Sequence, residues 1–501
     1  MRLLRPSPGR YRGVNRAASL LNRNWDRFLV GGVWAFFFLG VPFSAMEGDS
    51  GWFYMAVHYL ETGTYRYGTG MTAFNGPCLY HNPFGYPALI ALTKQLGGSG
   101  WPILLQLIQG AAYLGAYEAC RRLYEIASGK ARPVVLPVIY VAQFTTIEYS
   151  NYVMSECVSG FFISVSACLL AACLCDREGG RPGLRVWLGL CAAEVVFLKT
   201  VCLPIMIAAC AWLPIPAGRR RKLEVVPGGI LVVLILASMS FNLACFNRFA
   251  LKGNWGWNIF NRVVHTDGKL NPEGAVTRAT MELTGMTITR DWFWWDLEDA
   301  LGRKGFSLDE TSTIAEVIAR EGIATYPLGF AFGTFTNGYR LAILTDAISQ
   351  VRPDLDSWRR SQEALRRSQG AYLLDQLLAA WPAWRNRFTP ICSFYAGFDR
   401  AFRSWLGFLL ANAAWIGIYL WALARPPFGR RESGMRFGFW LILAIPGLVI
   451  LGSAASEHIF IRYKVPVMPL LHTVAILKLA SILPMTGKCA GNMESKEESK
   501  D

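Results

Sequence analysis

Apolar stretches of about 20 residues recur along this chain, and that is the length an α-helix needs to cross the hydrocarbon core of a bilayer. They fall at about 28–46, 101–122, 133–150, 153–175, 184–198, 201–216, 225–246, 404–424, 437–455 and 464–485. We read them as about ten membrane spans. The runs 184–198 and 201–216 are short, and Pro204 leaves their division open. Residues 84–96 and 323–345 are apolar but interrupted by Gly and Pro, and are expected at the membrane interface. The first run follows a long basic lead, residues 1–27, and is read as a retained anchor rather than a cleaved signal. Composition agrees: 17% of the 501 residues are charged, against roughly 25% in soluble domains.

The formal charge of +15 invites a nucleic-acid partner, but its distribution argues otherwise. Lys and Arg gather in short loops between apolar runs, at 121–132, 176–185, 217–224, 425–436 and the tail after 486. Basic loops of that kind mark the cytoplasmic side. The expected protein is therefore a multi-pass inner-membrane protein with both termini in the cytoplasm and no nucleic-acid partner. Its domains read as an N-terminal transmembrane module, 1–246, carrying an outer loop at 47–100, then an outer segment, 247–403. C-terminal transmembrane helices at 404–486 and a disordered cytoplasmic tail at 487–501 complete the chain. The fold class is all-α polytopic, with an outer segment of mixed α or α/β character. Many of the cysteines, among them Cys157, Cys168, Cys173, Cys191, Cys202 and Cys210, lie in apolar runs, where a thiol acts as a small hydrophobe. Cys78 and Cys392 fall in segments read as outside the cytoplasm, where a disulfide stays open.

That topology gathers the unusual polar residues on one face. Asp49 follows the first span, with Glu47 just before it; Glu156 opens the fourth; Lys199 lies between the fifth and sixth; Arg462, Tyr463 and Lys464 precede the last. Ionisable groups at membrane depth are costly and usually functional. Each also has a plain structural reading: Asp49 as a helix cap, Glu156 and Lys199 as an ion pair, Arg462 as a snorkelling interfacial group. Soluble signatures are missing, with no phosphate-binding Gly loop, no dinucleotide fingerprint and no zinc-binding HExxH. Asp354 and Asp356 have the spacing of a metal-dependent sugar-nucleotide site but no supporting context.

In its pattern the chain resembles the GT-C glycosyltransferases. Asp49 just after a span is followed by Tyr54, Ala56, Leu60 and Thr62-Gly63-Thr64-Tyr65, then by the turn Pro83-Phe84-Gly85-Tyr86-Pro87. Met154-Ser155-Glu156 and the late Arg462-Tyr463-Lys464-Val465-Pro466 complete the likeness. It runs from end to end, the outer segment being poorly matched, and is nearest in pattern to protein O-mannosyltransferases and lipid A aminoarabinose transferases. The resemblance implies an inverting transfer of a sugar from a polyprenyl-phosphate carrier to a hydroxyl at the outer face. Asp49 would be the general base, with Glu47 and Glu156 as supporting acids. His81, Lys199, Arg462 and Tyr463 would hold the donor phosphate; relatives often carry Lys where His81 stands. The chemistry is coherent, since a carboxylate is ionised at neutral pH and can accept a hydroxyl proton, while a departing phosphate needs cations. The acceptor is a lipid, a glycan or a protein; membrane lipids surround the site. No cofactor is assigned, no residue is assigned to a metal, and a divalent metal stays open. The rival readings are a lipid or glycan transporter or flippase, and a non-catalytic protein whose outer segment binds a partner.

Overall fold

The structure, a computed structural model, describes residues 24–38, 85–129, 135–142, 149–176, 181–212, 225–247, 255–343, 405–427, 433–456 and 465–482, with isolated positions at 53, 56–57, 60–61, 146–147, 249–251 and 253. Among these the secondary structure is helical. In chain order the helices are α1 (24–38), α2 (Gly85–Gly97), α3 (Trp101–Ser128), α4 (Val135–Ala142), α5 (Glu156–Cys175), α6 (Pro182–Leu198), α7 (Leu203–Trp212) and α8 (Val226–Phe246). There follow α9 (Trp255–Phe260), a π-helical turn (Asn261–Thr266), α10 (Ala275–Thr284), α11 (Trp294–Gly302), α12 (Leu308–Thr325), α13 (Pro327–Ile343), α14 (Trp405–Ala424), α15 (Ser433–Ser456) and α16 (Met468–Ala480).

Three of the described helices are long and apolar enough to cross a membrane: Glu156–Cys175, Val226–Cys245 and Gly438–Ser456. They fit a membrane-associated chain. Proline helps set where helices begin: Pro102, Pro182 and Pro227 stand in the first turns of α3, α6 and α8, where the missing N–H has no helical partner to lose. Pro446, inside α15, is accommodated by a neighbour. The Tyr419 hydroxyl donates to Leu443 O at 2.9 Å and accepts from Gly447 N at 2.8 Å. Those two groups would bond each other in an unbroken helix, so a phenol from α14 satisfies the backbone around the proline. Between α6 and α7 the break falls at Lys199, whose backbone is extended, five residues before Pro204.

The helices zigzag. α3 packs along α5, α5 along α6, α6 along α8, and α14 along α16. One end of this bundle carries Asp176–Arg185 at 3.0 Å, Arg27–Glu118 at 2.9 Å and the bond from Lys478 Nζ to Arg425 O at 2.8 Å. Glu156, Lys199 and the carbonyl of Ala454 lie at the other. The main core between the ends includes Tyr113, Leu170, Val195, Ile442, Leu470 and Val474.

Helices α9 to α12 form a smaller unit around Trp257, Phe260, Leu297, Leu301 and Ile318, with the Trp257 and Trp294 rings stacked at 4.8 Å. The described part of 247–403 is thus helical, and the Trp257 and Trp294 rings serve packing. Its helix starts are capped. Ser307 and Glu310 form a capping box on α12, and Glu321 reaches from α12 to accept from Val276 N at 2.8 Å and Thr277 N at 3.0 Å at the start of α10. These are the orphan donors of a helix N-terminus. Arg262 fastens this unit to the bundle. Its fully buried guanidinium pairs with Asp267 and donates to the carbonyl of Ala454 in α15.

Candidate functional site

The segment ahead of α5 would be costly to bury unless its polar backbone were satisfied, since it forms only a short turn, Tyr149–Asn151. Two glutamines of α3, three residues apart and so on one helix face, supply the partners. Gln109 Nε2 donates to Ser150 O at 3.0 Å and to Tyr152 O at 2.8 Å. Gln106 Nε2 donates to Asn151 Oδ1. The Tyr86 hydroxyl of α2 in turn donates to Gln109 Oε1 at 2.6 Å. Burial and the nearby Glu156 carboxylate push the Tyr86 phenol well above its usual range, so it stays protonated and keeps that donor role. Cys157 and Ser150 are tied to the same segment through Thr146 O and Ile147 O.

This scaffold delivers Glu156 as the first residue of α5, where the helix dipole favours a negative charge. Its side chain is fully buried, and Oε1 accepts from Lys199 Nζ at 2.8 Å. Oε2 has no hydrogen-bond partner among the described residues. Lys199 comes from the break after α6, its own N–H bonded to Val195 O at 2.8 Å and its carbonyl to Cys202 N at 2.9 Å. The backbone is therefore fixed while the side chain reaches across to α5.

A second acid stands close by. Glu194 lies half-buried on α6, and a Cβ added at Gly85 would come within 3.1 Å of its Oε1 and 3.2 Å of the Phe197 carbonyl carbon. The missing side chain at Gly85 eases the close approach of α2 to α6, and the Glu194 carboxylate sits against that helix start. Sequence reasoning passed over Glu194, Gln106 and Gln109. The signal was there, an acid inside one apolar run and two amides at i, i+3 inside another, but averaging hydropathy over a window hides single polar residues.

Of the residues expected to carry the chemistry, Glu156 and Lys199 are brought together as an ion pair. Asp49, Glu47, His81, Arg462 and Tyr463 lie outside the described residues, as do Cys78 and Cys392. Described residues near Asp49, His81 and Arg462 in sequence nevertheless share one small core. Phe53 and Val57 from the first loop, Tyr86 from α2, Tyr149, Tyr152 and Cys157 around the start of α5, Leu198 before Lys199, and Val465 pack together. Phe53 meets Tyr86 edge to face at 4.8 Å. Gly160 lets α5 approach the 465–467 turn closely, since a Cβ there would lie 3.1 Å from Pro466 O. Among the described residues no group of three or more His, Cys, Asp or Glu side chains is placed to hold a metal ion. Comparison with protein-family models, curated proteins and solved structures finds no match to this chain.

Proposed function

We propose that the chain is an inverting glycosyltransferase of the GT-C type, moving a sugar from a polyprenyl-phosphate carrier to an acceptor hydroxyl at the outer face of a membrane. In this reading about ten helices span, both termini are cytoplasmic, and the bundle end that carries Glu156 and Lys199 faces outward. Asp49 is the general base; Glu47 and Glu156 support it; His81, Lys199, Arg462 and Tyr463 hold the carrier phosphate.

One observation supports this most: a single core gathers the flanks of every residue the reading needs. Covalent geometry keeps Asp49 within about 14 Å of Phe53, and Arg462 within about 11 Å of Val465. Both anchors pack in the core that also holds Tyr86, Cys157 and Leu198. An acid for the acceptor proton and cations for the leaving phosphate are what such a transfer requires. Lys199 is here committed to Glu156, so its charge reaches a phosphate only partly neutralised. In this reading Arg462 carries the larger share of that role.

The test is an in-membrane transfer assay with labelled polyprenyl-phosphate sugars, wild type against Asp49→Asn. The expected result is transfer by the wild type and loss of at least about 100-fold in the variant, in line with removal of a general base. Transfer at the wild-type rate by Asp49→Asn would overturn the assignment of the base. Glu194, an acid inside an apolar helix, favours the transporter or flippase as a second reading. That reading predicts carrier translocation without glycosyl transfer, and the same vesicles report it.

A further inference from the structure

Helix α13 was expected at the interface, yet its contacts run downward along a helix that fits a membrane span. Its Arg262 partner, Thr334, lies beside Ala454, near the last turn of α15. Four residues on, a Cβ at Gly338 would meet Leu451 at 2.9 Å, and Leu341 is buried in the main core of the bundle. α13 therefore descends antiparallel to α15. Leu451 stands about 7 Å below Ser456 along the axis, and Leu341 about 5 Å lower again. A leaflet of the hydrocarbon core is about 15 Å thick.

The side of α13 turned away from α15 is apolar and open. Leu328, Phe332, Phe335 and Tyr339 are exposed by 84%, 75%, 66% and 65%, and their spacing of four, three and four residues places them on one helix face. A stripe exposed on that scale is rare on a water-facing surface and is what a lipid-facing helix presents. α8, one of the three helices fit to cross a membrane, likewise leaves Val233, Leu236 and Phe241 exposed. Arg340 is exposed beside Tyr339. Side chains lean toward the N-terminus of their helix, which for α13 is the outer surface, so the Arg340 stem runs back up toward the headgroups.

We propose that α13 is inserted in the outer leaflet and that its stripe is a lipid-binding face. Leu328 and Phe332 meet the headgroup region, Phe335 and Tyr339 meet acyl chains, and Arg340 pairs with a phospholipid phosphate. Part of the segment between α8 and α14 is thus membrane-embedded rather than wholly outside. The inference rests on the membrane reading of the bundle and is independent of the transfer activity.

The experiment uses the full chain in phospholipid vesicles, with a fluorescent amino acid introduced in turn at Leu328, Phe335 and Tyr339. Val233 on α8 serves as a lipid-facing control and Arg278, exposed on α10, as an aqueous one. Quenchers are iodide in the buffer and lipids brominated either near the headgroup or near mid-chain. Expected are several-fold weaker iodide quenching at Phe335 and Tyr339 than at Arg278, and mid-chain quenching that rises from Leu328 to Tyr339. Iodide quenching at Phe335 and Tyr339 equal to that at Arg278 would overturn the proposal. So would protection from both quenchers, which means that protein covers the stripe. If bromolipid also fails to quench at Val233, the membrane reading itself falls and the lipid face falls with it.

Discussion

Glu156 and Lys199 form a pair whose value depends on both members being present. At 2.8 Å, with the carboxylate fully buried, each charge compensates the desolvation of the other, and the net gain over an apolar pair is small. Loss of one partner is different, because an uncompensated charge stays inside. Lys199→Met or Glu156→Gln alone is expected to lower stability by about 3–5 kcal/mol, and the double variant to recover most of that loss. Thermal unfolding of the four proteins in detergent measures it, and strictly additive effects would show that the pair is not coupled. The same double variant separates structure from chemistry. Folded but inactive protein assigns the pair a part in transfer, whereas full activity makes it a brace for the α5 start.

Elements are placed by small residues at their contacts. Gly85 admits α2 to α6, and Gly85→Ala forces a carbon to within 3.1–3.2 Å of Glu194 and Phe197. The expected cost is about 1–3 kcal/mol, whereas Gly31→Ala, with nothing within 4 Å, should stabilise α1 by about 0.5–1 kcal/mol. Unfolding midpoints of the two variants give the comparison; equal shifts would mean that the α2–α6 approach is not tight. The helices of the bundle were legible in the sequence because each is an apolar run, and the Glu156–Lys199 pairing was legible from the topology. Other features were not. The run 133–150 reads as one span to its end, but that end lies in a short turn, Tyr149–Asn151, held by Gln109 ahead of α5. α13 reads as interrupted by Gly and Pro, yet Pro327 begins the helix and Gly329, Gly333 and Gly338 make room for Lys269, Asp267 and Leu451. A glycine breaks a helix in water and tightens one in a packed contact, and sequence alone does not distinguish the two.

At the scale of the molecule, the α9–α12 unit and the bundle meet through Arg262. Its guanidinium joins Asp267, the Ala454 carbonyl and, at 3.5 Å, Thr334 Oγ1, while the Phe330 ring lies 5.4 Å away. Arg262→Met would leave Asp267 buried with its charge. Amide exchange across α9 to α12 should accelerate while α5 and α6 keep their protection, because the unit has its own core. Uniform acceleration in both regions would instead make them one cooperative body. The α5–α6 hairpin carries a further consequence. Ion pairs clasp it at both ends, Glu156–Lys199 at 2.8 Å and Asp176–Arg185 at 3.0 Å, with a 20-residue helix between them. That helix is about 30 Å long, the thickness of a typical hydrocarbon core. If α5 crosses a bilayer of matching depth, both clasps reach the polar boundary together; in a thicker or thinner one, tilt of the hairpin or deformation of the lipid takes up the mismatch.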